Sequence, residues 1–233
     1  MRRSKSWILV YILTISAALA SVQWGSRAVN VISESMPIPR ANCIVIDPGH
    51  GGPDGGAASC TGKLEKVYNL EISRRLETFL NLLGYSTRMI RTTDESVYTQ
   101  GETIAQKKVS DLKQRVKMVE ETENPILISI HQNTFSDSRY CGAQVFYAGT
   151  QGSETLALQL QGLLTECLNP GSHRKAKRSS QVYLMDQISC PGILVECGFL
   201  SNIQEETLLS DPAYQKKLCA VIGCALDQFL SHT

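Results

Sequence analysis

Four side chains in this sequence have the types and placement for joint metal chemistry: His50, Glu65, His131 and Glu196. His50 lies in Asp47-Pro48-Gly49-His50-Gly51-Gly52, directly after the apolar run Cys43-Ile44-Val45-Ile46. His131 follows Ile126-Leu127-Ile128-Ser129-Ile130, and Glu196 follows Ile193-Leu194-Val195. Each run is short enough to be a buried strand that ends in a polar group. If the three strands are parallel neighbours, their carboxyl ends form one edge, where α/β sheets gather ligands. Glu65, at the start of a helical pattern, can fold back over that edge. Two neutral imidazoles and a carboxylate make a donor set typical of catalytic zinc, with a fourth position left for water. Glu196 then acts as a general base close to the metal. Glu65 suits that task less, because a ligating carboxylate has spent its basicity on the cation.

The histidines do not form an H-E-x-x-H pair, so spacing alone keeps two other readings open. In one, the glycine-rich stretch binds an anion; in the other, the two histidines share no task. The anion reading lacks a G-x-x-x-x-G-K-[ST] string, lacks a G-x-G-x-x-G opening a helix, and places Asp47 and Asp54 where they would repel phosphate. These two aspartates can orient ligand imidazoles or serve as turn caps.

The elements that must position these groups follow from periodicity. Strands are expected at Cys43–Asp47, Tyr85–Arg91, Ile126–Ile130, Ala143–Ala148, Gln181–Met185 and Ile193–Val195. Helices are expected from Glu65 to Leu83, near Asp111–Glu121, and from Ser153 to Cys167. Ser201-Asn202-Ile203-Gln204 matches a capping box, and Asp211-Pro212 opens a last helix. Strands alternating with helices imply a single α/β domain, with a mostly parallel central sheet and helices on both faces.

The amino terminus reads differently. A basic start, Arg2, Arg3 and Lys5, precedes an uncharged stretch from Ser6 to Ser26. That is an export signal over residues 1–25, either cleaved near Ala18-Leu19-Ala20 or kept as a membrane anchor. Residues 26–41, with Pro37 and Pro39, read as a linker, and 42–231 as the catalytic domain. The net charge of +1 argues against a nucleic-acid surface. All eight cysteines fall in the exported part, without a C-x-x-C pair. Several sit in apolar runs, so mostly buried free thiols are expected.

Ile44-Val45-Ile46-Asp47-Pro48-Gly49-His50-Gly51-Gly52, then Gly62-Lys63-Leu64-Glu65-Lys66, then Ile128-Ser129-Ile130-His131-Gln132-Asn133, then Ile193-Leu194-Val195-Glu196-Cys197-Gly198-Phe199 resemble, in this order, the zinc-dependent N-acetylmuramoyl-L-alanine amidases. The resemblance spans about residues 42–231 and is nearest to the germination-specific members of spore formers. It implies zinc on His50, Glu65 and His131, with Glu196 as catalytic glutamate. Thr134 stands where many members carry alanine. The implied substrate is peptidoglycan outside the cytoplasmic membrane, at the spore cortex in the narrower reading. A deacetylase acting on the same glycan and an accessory activator are the implied partners. Stem peptides carry carboxylates, so Arg174 and Lys177 in the basic stretch 173–178 are candidate substrate contacts, as is Asn133. The competing readings are a zinc peptidase cutting within the stem peptide, which would release shorter peptides, and an inactive wall-binding protein. The latter predicts loss of a ligand or base, and all four residues are present.

Overall fold

The structure, a computed structural model, describes residues 41–231. The expected leader and the linker up to residue 40 lie outside these residues. Among the described residues no helix is long and apolar enough to cross a membrane.

Six strands form one sheet: β1 (Cys43–Pro48), β2 (Ser86–Met89), β3 (Pro125–Asn133), β4 (Gln144–Tyr147), β5 (Lys177–Arg178) and β6 (Gly192–Phe199). Their order is β2-β1-β3-β6-β4-β5, and only the β6–β4 pairing is antiparallel. The helices are α1 (Glu65–Leu82), α2 (Ile104–Glu120), α3 (Ser153–Cys167), α4 (Tyr183–Gln187), α5 (Ile203–Ser210) and α6 (Pro212–Ser231).

The central strands read as continuous apolar runs because both faces are covered. Successive side chains alternate between two cores. Ile44, Ile46, Ile126, Ile128, Ile130, Ile193 and Val195 pack with α1, α3 and α6. Val45, Leu127 and Leu194 face the other way, toward Val119 of α2 and Leu184 and Met185 of α4. The α/β architecture expected from sequence is therefore the one observed.

Several local expectations are corrected. Gln181–Met185 is not a strand: Tyr183–Gln187 is a short helix that seats Leu184 and Met185 against the second core. A short apolar run does not reveal its period, and tertiary packing decided it. Helix α2 begins at Ile104, well before Asp111, because Thr103 and Gln106 form a reciprocal capping box. The cap of α5 is Asn202, whose Oδ1 accepts from the N–H groups of Gln204 and Glu205 at 3.0 and 3.2 Å. Ser201 Oγ instead accepts from Phe135 N–H, 66 residues away. Lys177–Arg178, in the basic stretch outside every expected strand, form a two-residue edge strand. All eight cysteines are free, yet Cys60, Cys141, Cys167 and Cys224 are exposed. Cys60 and Cys141 lie in polar loops, Cys167 ends α3, and only Cys224 of these four sits in an apolar run, on the outward face of α6.

Candidate metal centre

Strand register brings the candidate groups to one edge. β1 ends at Pro48 beside Ile130, so His50 emerges next to His131 at the end of β3. His131 in turn pairs with Glu196 on β6, one interstrand spacing away, about 4.8 Å. The loop after β1 closes through a Gly51–Asp54 bridge and returns to α1, where Glu65 N–H donates to Ala57 O at 2.8 Å.

Glycine has specific work in this loop. A β-carbon on Gly49 would lie 2.2 Å from the His131 ring, and Gly56, at φ +67°, would place one 2.5 Å from Glu65 Oε2. The cradle therefore needs bare backbone on both sides.

His50 Nε2 lies 3.1 Å from Glu65 Oε2, and His131 Nδ1 lies 3.0 Å from Glu65 Oε1. One donor atom from each of the three residues falls within 4.8 Å of the others. Zinc with ligand bonds near 2.1 Å spaces tetrahedral donors about 3.4 Å apart, so small adjustments seat the ion. The N/O donor set fits as well.

Glu65 is 4 % exposed and also accepts from Ala57 N–H at 3.0 Å and Gln132 N–H at 3.1 Å. Burial alone would raise its carboxyl, but the two imidazoles hold it well below the usual range. Burial likewise opposes charge on His50, yet Asp54 and Glu65 raise it to about 9. An incoming cation therefore competes with a proton held on this ring.

Asp54 Oδ2 lies 3.1 Å from His50 Nδ1, poorly aligned as a hydrogen bond but close enough to orient the ring. Asp47 does something else. It pairs with Arg115 Nη1 and accepts from Ser129 Oγ at 2.6 Å, and among the described residues it hydrogen-bonds to no imidazole, although it feels the charge of His131. Its service is indirect: Arg115 also donates to Pro48 O at 3.0 Å and His50 O at 2.7 Å, and pairs with Asp111 at 2.6 Å. A second buried guanidinium, Arg91, donates to Pro48 O and Gly49 O, both at 3.0 Å. Two arginines thus grip the carbonyls around His50, which is held in the left-handed region at φ 61°. Burial and the Arg115 charge lower Arg91 to about 10. Sequence reasoning missed both arginines. Nothing local to the motif says which distant arginine pairs with Asp47 or grips the carbonyls beside it.

Glu196 stands apart from the three-donor cluster. Its Oε2 is buried without a hydrogen-bond partner. Burial pushes the carboxyl up to about 7, opposed by His131 and reinforced by Glu65. This is the environment of a proton carrier rather than of a structural ion pair.

The weaker candidates separate. Asn133 Oδ1 accepts from Thr134 N–H at 2.8 Å and shapes the strand end. Arg174 donates to Gln144 Oε1 at 2.8 Å and Cys141 O at 2.7 Å. Lys177 is exposed on β5 and, with Arg174, lines a cleft beside β4.

The family model described as N-acetylmuramoyl-L-alanine amidase matches residues 44–228. The germination-specific N-acetylmuramoyl-L-alanine amidase of Bacillus subtilis is 41% identical over 191 residues, covering 81% of this chain and 79% of that protein. The amidase LytC of the same organism is 30% identical over 182 residues; the match covers 77% of this chain and 34% of that longer protein. Among solved structures, the CwlD amidase from Clostridioides difficile, in complex with the GerS lipoprotein, superposes with a TM-score of 0.78. It is 34% identical, and the match covers 82% of this chain and 99% of that one. An amidase from Clostridium difficile 630 gives a TM-score of 0.71 at 27% identity, covering 82% and 97% of the two chains.

Proposed function

This chain belongs to the N-acetylmuramoyl-L-alanine amidase family, and from that premise we propose a zinc hydrolase cutting the amide between the lactyl group of N-acetylmuramic acid and L-alanine in peptidoglycan. One observation supports the reading most: donors from His50, Glu65 and His131 converge within 4.8 Å beside a buried, unpartnered oxygen of Glu196.

His50, Glu65 and His131 hold the ion, and Asp54 sets the His50 ring. When bound, zinc supplies Lewis acidity toward the scissile carbonyl and lowers the pKa of water toward about 7. Glu196 takes the proton of the attacking water on its free oxygen and delivers it to the departing nitrogen. An amine leaves poorly unless protonated, so one carboxylate serves both steps. A carboxyl near 7 can accept and release a proton around neutral pH. Glu65 cannot, because both its oxygens are committed.

The likeness to a germination-specific amidase supports action on spore cortex. Removing the peptide would leave muramic acid ready for δ-lactam formation with a separate deacetylase on the same glycan. The CwlD neighbour was solved with a lipoprotein, which supports an accessory lipoprotein for this chain too. Export by residues 1–25, cleaved or retained, would deliver the domain to the wall.

The test incubates the zinc-loaded full-length protein with purified cortex and with vegetative wall, followed by mass spectrometry. Release of peptides beginning with L-alanine, faster from cortex, is expected. Release of truncated stem peptides or free amino acids would move the assignment to a peptidase, and no release from either wall would overturn hydrolysis.

A further inference from the structure

Beyond Glu196, on the side away from the three-donor cluster, the 139–142 and 168–175 segments line a cleft of about 1040 Å³, to which β4 contributes Gln144 and β5 contributes Lys177. Its lining is cationic: Arg174, Lys175 and Lys177 contribute to it, with His173 beside them. The one acid in the lining, Asp137, is already paired with Arg139 at 2.7 Å. Among the described residues Arg174, Lys175 and Lys177 make no ion pair. The nearby buried acid Glu205 feels the Arg174 charge but is committed to the amides of Gly142 and Phe199, at 2.9 and 2.8 Å.

Arg174 is preset. Nε donates to Cys141 O at 2.7 Å, Nη1 donates to Gln144 Oε1 at 2.8 Å, and the guanidinium carbon lies 4.5 Å over the Phe199 ring. Nη2 has no partner among the described residues, so one edge of the fork remains available for a carboxylate.

The cleft is tied to the reaction centre by register. Gln144 lies opposite Glu196 in the antiparallel β4–β6 pair, so their side chains share a face with β-carbons about 5 Å apart. Gln144 spends its amide on the cleft wall, accepting from Arg174 and donating to Lys175 O at 3.0 Å. One side chain thus separates the proton carrier from the guanidinium. An extended peptide advances about 3.4 Å per residue, so two or three residues cover that step.

We propose that this cleft binds the peptide arm of the substrate, with Arg174 taking a carboxylate on the second or third residue beyond the scissile amide and Lys177 adding to the field. The inference rests on the amidase reading above and deepens it by giving the substrate a direction: the leaving peptide runs from Glu196 toward β5. Of the two parts of a muramyl peptide, the glycan carries little charge and the peptide is acidic, so a cationic groove selects the peptide.

The experiment uses zinc-loaded full-length protein and two soluble muramyl tripeptides, one with free side-chain and α-carboxylates on residues two and three, the other fully amidated there. Wild-type protein is expected to show a KM about tenfold lower for the acidic substrate, the worth of one hydrogen bond to a charged group. Arg174→Gln is expected to raise KM for the acidic substrate about tenfold, to change kcat far less, and to erase the preference; Arg174→Lys recovers part of it. Should Arg174→Gln fold poorly, Lys177→Gln at an exposed position reads the same preference, with a KM rise of about threefold. Equal KM values for the two substrates in wild-type protein, a preference surviving in Arg174→Gln, or one undiminished in Lys177→Gln, would overturn the proposal while leaving the amidase reading intact. No cleavage of either substrate by wild-type protein would overturn the amidase reading, and this inference with it.

Discussion

Replacing Arg115 by methionine tests whether the loop carrying His50 is held by a buried guanidinium. Arg115 is 2 % exposed and bridges Asp47 and Asp111 while donating to the carbonyls of Pro48 and His50. Methionine fills similar space but leaves Asp47, 1 % exposed, with only Ser129 as a side-chain partner. Breaking a buried pair from one side costs about 3–5 kcal/mol, because the remaining charge is uncompensated. For a domain of this size that loss lowers Tm by roughly 6–20 °C. Thermal denaturation of the apoprotein measures it. The double variant Arg115→Met with Asp47→Leu removes both charges and is expected to recover much of the loss. Zinc affinity, read by chelator competition well below the melting range, is expected to fall in Arg115→Met because His50 loses its backbone anchor. A stability change under about 1 kcal/mol, within the range of an exposed pair, would refute the reasoning. So would a double variant whose loss equals the sum of the two single losses.

Three further outcomes are expected. Glu196→Gln retains stoichiometric zinc by atomic absorption and loses roughly 10²–10⁴ in kcat, the share of a general acid–base group; near-normal turnover would remove Glu196 from its role. Gly56→Ala drives a β-carbon toward Glu65 Oε2 at a positive φ, so zinc affinity and Tm should both fall, measured by chelator competition and calorimetry. Although burial opposes it, the Arg115 guanidinium with Ser129 holds the Asp47 carboxyl below its ordinary 3.8. A depressed folded-state pKa contributes stability above the unfolded value, and that stability is lost as pH falls through the folded one. Acid unfolding followed by circular dichroism should therefore steepen below about pH 4, and Asp47→Asn should flatten that part of the curve.

Much of the site was legible because strand ends carry it. Apolar runs closing on His50, His131 and Glu196 needed only parallel neighbours to converge, and the register of β1, β3 and β6 supplies that. The fold class followed from the same alternation of strands and helices. What stayed hidden depends on contacts far apart in the chain. Asp47 lies 68 residues from Arg115, and no local pattern joins them, so imidazole orientation and turn capping were the two roles open to it and the buried ion pair was not among them. Gln144 carried no motif at all, because its place beside Glu196 comes from the one antiparallel pairing in the sheet. The short helix at Tyr183–Gln187 was lost for a related reason: five residues are too few to show a period, and burial of Leu184 and Met185 fixed their shape.

The central claim concerns where a cation sits. Anomalous diffraction at the zinc edge, from crystals of the zinc-loaded protein, locates it directly. The expected result is one peak at about 2.0–2.2 Å from a nitrogen of His50, an oxygen of Glu65 and a nitrogen of His131, with Glu196 adjacent and unligated. A peak held by other residues, or none at this edge of the sheet in protein that still releases L-alanine peptides, would contradict the account.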